Sequence, residues 1–456
     1  VGGVLSLLAL GVLAAPAGAH AALESSSPAP DSTVTELTHI DLHFREGVEP
    51  DGSHVWIKDA GGYLELAAPS VLDGDPASLT VPVPALGEGD YEVVWHSLAT
   101  DGHVEQGSFR FHLAPAAASA PVPAPADPAA DYPPDTSLAI AVDDIGGLSR
   151  PPEGPHGHGP GDATTGLARG VLDASVAVLI GGLAFLVVVW PRGLALLRAR
   201  QVLWGAAGVA AIASVELTAF QHAGATGSST FAALAPGQLV AAMDFRFGRV
   251  AAARLVLIAL SLGLVARAAV RRSRGAPTAR WRAAAVLLVV GLAETLVLLG
   301  HGSGLVTVEA VARLVHVVGI SAWMGGLVML VVVVLPRQRA DELLAVVPRF
   351  SRFATASIAV LVVGGAALSI DLVGSASALT GTAYGRALVA KLVVVGLLLV
   401  AATASRSHVR ACLRAAGDLS GAAIARPLVA WIGIEVGLMA GVLAITAVLV
   451  SRVPPA

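Results

Sequence analysis

The sequence predicts two folds in one chain: an immunoglobulin-like all-β sandwich near the N-terminus, and an α-helical membrane domain of about eight spanning helices joined to it by a Pro/Ala-rich linker. Three observations predict this. Mean hydropathy is +0.73, with 55% hydrophobic and only 14% charged residues over 456 positions, which is far too apolar for a soluble protein of this length. Residues 20–113 break into short runs of alternating polarity, as half-buried strands do. Beyond residue 169, apolar runs long enough for the ~20 residues of a spanning helix recur about eight times.

Composition also excludes whole classes of function. Aromatics are 5% and Gly numbers 50, so the apolar mass is Ala, Val and Leu, the material of helices that pack closely in a bilayer rather than of a large soluble enzyme. The net charge of -4 averages two unlike halves and argues for no nucleic-acid partner. A single cysteine, Cys412, leaves no internal disulfide, CxxC relay or iron–sulfur cluster. Any metal is therefore held by His, carboxylate, Met or a backbone amine.

Residues 1–19 read as a signal peptide. Val4 to Ala15 is an apolar run, and Ala17-Gly18-Ala19 has the small-x-small form of a peptidase site. Cleavage leaves His20 first, with a free α-amine; an uncleaved anchor leaves none.

The β domain follows, residues 20–113. Ile40, Leu42 and Phe44 alternate with His39, Asp41 and His43; Val93 and Trp95 alternate with Val94 and His96; Phe109, Phe111 and Leu113 alternate with Ser108, Arg110 and His112. Turn signals at Asp51-Gly52, Gly61-Gly62, Asp73-Gly74 and Gly87-Glu88-Gly89 divide the stretch into about seven strands.

The segments His20-Ala21-Ala22-Leu23-Glu24-Ser25-Ser26-Ser27-Pro28, Leu42-His43-Phe44, Tyr91-Glu92-Val93-Val94-Trp95, Thr100-Asp101-Gly102-His103 and Gly107-Ser108-Phe109-Arg110-Phe111 resemble the periplasmic copper-binding family CopC. The resemblance implies that His20, Asp101 and His103 bind Cu(II). Coordination chemistry agrees. Cu(II) prefers a tetragonal set of nitrogen and oxygen donors, and an N-terminal His offers amine and imidazole in one chelate ring. His103 adds a nitrogen, and Asp101 adds a carboxylate that lowers the net charge. Some members of that family carry a Met-rich Cu(I) site, but here no Met precedes Met243. His39, His43, His54, His96 and His112 read as exposed strand histidines, with an accessory site among them as the alternative.

Residues 114–168 form the linker. Pro115 to Pro134 is too rich in Pro and Ala to bury surface and reads as an extended tether. His156-Gly157-His158 near its end is either a low-complexity tract or a transient copper holder.

The membrane domain, 169–456, has expected spans near 171–190, 202–222, 247–269, 283–301, 310–335, 354–373, 385–404 and 428–450. The loops after the first, third, fifth and seventh carry Arg clusters, among them Arg271, Arg272, Arg274, Arg337 and Arg339. By the positive-inside rule those loops are cytoplasmic, and the first helix enters from outside. The segments His316-Val317-Val318-Gly319-Ile320-Ser321-Ala322-Trp323-Met324-Gly325-Gly326, Arg349-Phe350-Ser351-Arg352-Phe353 and Tyr384-Gly385-Arg386-Ala387-Leu388-Val389-Ala390-Lys391 are similar to the CopD copper-resistance membrane proteins. That resemblance implies copper handling at or across the cell (inner or plasma) membrane.

Ionisable groups inside a bilayer are costly and mark functional sites. Glu216 with His222, and Glu294 with His301, repeat a carboxylate placed about two turns below a terminal imidazole. They are read as a path of oxygen and nitrogen donors, with His316 as a further ligand on the helix face that also carries Trp323. Met243, Met324, Met329 and Met439 read as packing residues, with Cu(I) ligation as the alternative. Asp371 and Glu435 read as ion-pair partners for Arg254 or Lys391.

The expected function is capture of Cu(II) outside the cell and transfer to the membrane domain, for import or for homeostasis and resistance. No ATPase motif is present, neither GxxxxGK[ST] nor Asp-Lys-Thr-Gly, and the chain is expected not to be an enzyme. The expected partners are the copper ion, the lipid bilayer and extracytoplasmic copper donor proteins. Two alternatives stand beside it: a haem-binding oxidoreductase using pairs among His222, His301 and His316, and a copper-responsive scaffold without transport.

Overall fold

The computed structural model describes residues 23–59, 62–100, 102, 104–115, 160–270, 278–298, 308–373 and 378–414, with scattered positions between 430 and 445. The chain divides into two compact units, one of strands and one of helices.

Among the described residues the β unit has nine strands: β1 (Leu23–Ser27), β2 (Thr33–Val34), β3 (His39–Phe44), β4 (Val48–Asp59), β5 (Gly62–Glu65), β6 (Ser70–Val71), β7 (Ser78–Pro82), β8 (Gly89–Ala99) and β9 (Val104–Leu113). They form a four-stranded sheet, β1-β3-β7-β6, and a five-stranded sheet, β2-β9-β8-β4-β5. Pairing is antiparallel except for β2 on β9. The period-2 pattern decides which residues face inward. Ile40, Leu42 and Phe44 meet Val55, Ile57, Val93, Trp95, Phe109 and Phe111 in one buried cluster. Each such side chain contributes about 1.5–3 kcal/mol by leaving water.

Two details sharpen this core. Trp95 packs edge-on to Phe44, with ring centroids 5.3 Å apart. Its cross-strand partner is Gly107, where a Cβ would fall 2.6 Å from the Trp95 ring, so the large ring needs the missing side chain. Tyr91 donates its hydroxyl to the Gly87 carbonyl oxygen at 2.8 Å, pinning the turn that leads into β8.

Among the described residues the helical unit has seven long helices: α1 (Pro160–Val188), α2 (Leu197–Thr226), α3 (Arg246–Val270), α4 (Ala279–Val297), α5 (Val308–Met329), α6 (Ala340–Val373) and α7 (Ala383–Arg414). They match the first seven expected spans. The eighth, 428–450, falls mostly outside the described residues. Among the described residues six helical stretches are long and apolar enough to cross a membrane, in α1, α2, α3, α5, α6 and α7. The remaining helix, α4, carries Arg280, Arg282 and Glu294.

Glycines set the two tightest crossings, as small residues do where helix backbones approach. Between α1 and α5, a Cβ on Gly181 would lie 2.7 Å from the Gly325 Cα, and one on Gly325 would lie 2.7 Å from the Ala177 carbonyl oxygen. Between α5 and α6, a Cβ on Gly319 would meet the Leu361 nitrogen and the Ser357 carbonyl oxygen, both at 2.9 Å. After Met329 the chain widens into a π-helical turn, Leu330–Val334, before Pro336. There Arg337 clasps Glu342 at the start of α6 with two hydrogen bonds of 2.6 and 2.9 Å.

Candidate metal centres

On the β unit, Leu23 at the start of β1 pairs with Phe44 at the end of β3. Just beyond, the Gly47 carbonyl oxygen accepts a 2.9 Å hydrogen bond from the Thr100 N–H, and Val48 pairs with Ala99. Leu23 and Thr100 are thus brought to one end of the sandwich by a short chain of backbone pairings. Arg45 and Glu24 form a 3.2 Å ion pair there. In the β8–β9 turn Gly102 has φ +86°, a left-handed conformation that favours glycine, and its N–H donates to the Ala99 carbonyl oxygen at 2.8 Å. The expected ligands themselves, His20, Asp101 and His103, lie outside the described residues, as do His156 and His158.

Four of the remaining strand histidines have local partners. His39 lies 3.4 Å from Asp41, His43 Nδ1 lies 2.7 Å from Ser78 Oγ, His54 Nδ1 lies 3.0 Å from Glu65 Oε1, and His112 Nδ1 lies 2.8 Å from Asp90 Oδ1. His96 departs from the exposed reading. It is 8% exposed, and burial, reinforced by the neighbouring His54, pushes its imidazole pKa down to about 4.

In the helical unit the described donors lie on α2, α4 and α5. His222 near the end of α2 is buried; its Nε2 lies 2.9 Å from Gln238 Oε1, and its ring stands edge-on to Phe245 at 5.8 Å. Glu216, on the same helix, is exposed. Six residues advance a helix by about 600°, so Glu216 and His222 stand about two turns apart along α2 and about 120° apart around it. Glu294 is half-buried on α4, and His301 lies outside the described residues. Among the described residues no three His, Cys, Asp or Glu side chains gather closely enough to hold a metal ion.

His316 is half-buried where α5 crosses α6. Its Nδ1 lies 3.1 Å from the Leu361 carbonyl oxygen, which only accepts, so Nδ1 carries the proton and the neutral ring keeps its lone pair on Nε2. Metal-ligating imidazoles are commonly oriented by such a bond. Gly365 makes room for the ring, since a Cβ there would stand 3.3 Å from His316 Nδ1 and Cε1. Lys391 on α7, within the third segment that resembled CopD, is an electrostatic neighbour of His316 in the first. Reading the segments separately did not foresee this convergence.

A further polar centre was also missed. Arg254 on α3, 1% exposed, donates from Nε to Thr295 Oγ1 at 3.0 Å and from Nη2 to the Thr295 carbonyl oxygen at 2.7 Å. Its acidic neighbour is Asp173 on α1, with Arg169 nearby. The sequence singled out Arg254 only as a partner for Asp371 or Glu435, not for Thr295 or Asp173; the lone cation in the apolar run of α3 was the available signal. Met329 is fully buried beside Gly182, in keeping with a packing role.

Three family models match successive stretches of the chain: the CopC domain over residues 23–114, the copper resistance protein D-like N-terminal domain over 161–308, and copper resistance protein D over 344–449. Protein YobA of Escherichia coli (strain K12) is 32% identical over 112 residues, which are 24% of this chain and 90% of YobA. The chain belongs to the CopC/CopD copper-resistance family. Copper transport protein CutJ of Bacillus subtilis (strain 168) is 24% identical over 403 residues, 85% of this chain and 68% of CutJ. The crystal structure of CopC from Methylosinus trichosporium OB3b is 31% identical, covering 21% of this chain and 95% of that one, with a TM-score of 0.20. The CopC and CopD matches leave residues 115–160 between them, the stretch that holds the Pro/Ala-rich segment.

Proposed function

We propose that this CopC/CopD chain captures Cu(II) outside the cell on the β unit and passes it to the helical unit, for copper import or homeostasis. His20, Asp101 and His103 form the outer site. His316 is the principal intramembrane donor, with His222, His301, Glu216 and Glu294 contributing along the route. Copper is cargo here, not a resident cofactor. The observation that supports the reading is that the Leu23–Phe44 and Gly47–Thr100 pairings draw Leu23 and Thr100 toward one end of the sandwich, because their sequence neighbours are the expected ligands. An amine, two imidazoles and a carboxylate suit Cu(II). The name of CutJ supports a transport role, and extracytoplasmic copper donors would supply the ion.

The test is cellular copper content, by mass spectrometry, in cells expressing wild type, His20→Ala, His103→Ala and His316→Ala. Content below the wild-type level with all three variants supports capture and import. Unchanged content would overturn it.

A further inference from the structure

The β unit carries a second pair of imidazoles away from that site. β4 and β8 run antiparallel with His54 directly opposite His96, and the two ring centroids are 6.3 Å apart with planes tilted by 49°. Their strand neighbours Val55 and Trp95 fill the sandwich core, so the pair belongs to the other face of the five-stranded sheet. His96 Nδ1 is buried and has no hydrogen-bond partner. Leaving a buried polar atom unsatisfied is costly, and an apolar residue would fill the same place without that cost.

His54 is the open half of the pair. Its Nδ1 lies 3.0 Å from Glu65 Oε1 on β5, and Trp56 stacks beside it with centroids 5.8 Å apart. A carboxylate on Nδ1 holds the proton there and makes Nε2 the more basic nitrogen, the arrangement found behind metal-bound imidazoles.

We propose that His54 and His96 form a second metal site on the β unit, a two-nitrogen site that takes Cu(I) in linear coordination, with Glu65 orienting His54. The donor number selects the ion. Zn(II) and Cu(II) seek about four ligands, and among the described residues no third His, Cys, Asp or Glu joins the pair to enclose one. A closed-shell monovalent ion is satisfied by two. The spacing fits as well: metal–nitrogen bonds of about 2 Å, with about 1.1 Å from nitrogen to ring centre, put two collinear imidazoles about 6 Å apart. The observed centroid separation of 6.3 Å is close to that value. The ion enters past half-exposed His54 and ends against buried His96.

The test uses the full chain in detergent without oxygen, titrated with Cu(I) against the chelator bicinchoninate, comparing a His103→Ala parent with the same chain also carrying His54→Gln or His96→Gln. The parent is expected to retain one Cu(I) equivalent that both variants lose, and X-ray absorption on the parent is expected to show a two-coordinate, nitrogen-only ion. Equal retention in the parent and His54→Gln would overturn the site, and that variant decides alone if the buried His96→Gln fails to fold. A Cu(II) titration of His54→Gln in the otherwise wild-type chain reads the outer site separately and is expected to match wild type, so either reading can fail without the other.

Discussion

The α1–α5 crossing supports a quantitative prediction. An alanine at Gly181 would place its Cβ 2.7 Å from the Gly325 Cα and 2.9 Å from the Gly325 nitrogen; an alanine at Gly325 would meet the Gly181 Cα at 2.7 Å. Carbon atoms rest at about 3.5–4.0 Å, so either alanine drives the two axes about 1 Å apart. A gap of that size forfeits roughly a quarter to a half of each dispersion well along the crossing. Overpacking costs about 1–3 kcal/mol, and because the opposing atoms are backbone and cannot rotate aside, each single variant should fall near ~3 kcal/mol. Once the first alanine has separated the helices, the second has room. Gly181→Ala/Gly325→Ala is therefore expected to cost about 3–4 kcal/mol, not the ~6 of an additive pair, a coupling of about 2–3 kcal/mol. Denaturant unfolding in detergent, followed by circular dichroism, measures this. Gly205→Ala on α2 is the control, because a Cβ there meets nothing within 4 Å, and helix propensity alone should stabilise it by about 0.5–1 kcal/mol. Single variants within ~0.5 kcal/mol of wild type, or an additive double, would refute the reasoning.

Two further outcomes follow from buried polar groups. His96 has a folded pKa of about 4 against 6.5 when unfolded, so the unfolded chain takes up the extra proton between those values. Stability of the metal-free β unit should be full above about pH 6.5 and fall by about 3 kcal/mol as pH drops toward 4; thermal unfolding across that window should show a slope that His96→Gln flattens, and identical slopes would sink the account. Arg254→Met removes two charge-assisted hydrogen bonds to Thr295 and should cost about 2–3 kcal/mol after the relief of desolvation. Arg254→Lys should recover part of that in a detergent melting experiment, and an unchanged midpoint for Arg254→Met would show that the bonds contribute nothing.

The strands were legible wherever one face is buried. Ile40, Leu42 and Phe44, like Val93 and Trp95, alternate because the pleat turns successive side chains to opposite faces. The two-residue strands β2 and β6 were not legible, being too short to hold a pattern. Burial of His96 depends on a cross-strand neighbour on β4, which local alternation does not encode. The helices could be counted from apolar length. Their packed faces could not be read, because lipid-facing and helix-facing sides are equally apolar; Glu216 and His222 were paired by spacing when their angular offset separates them. The room for the His316 ring comes from Gly365 on the next helix, where a glycine has no polarity to announce it.

The widened turn at Leu330–Val334 has a consequence for how α5 tolerates change. A π-helical turn amounts to one surplus residue absorbed without breaking the rod. The stretch bearing His316 and Trp323 and the stretch leading to Arg337 are thereby phased independently, about 100° from where an uninterrupted helix would leave them. Removing a single valine from that turn would restore a uniform helix with the upstream half and the Arg337 clasp both left in place, whereas straightening the turn with every residue kept would swing the clasp about 100° around the axis.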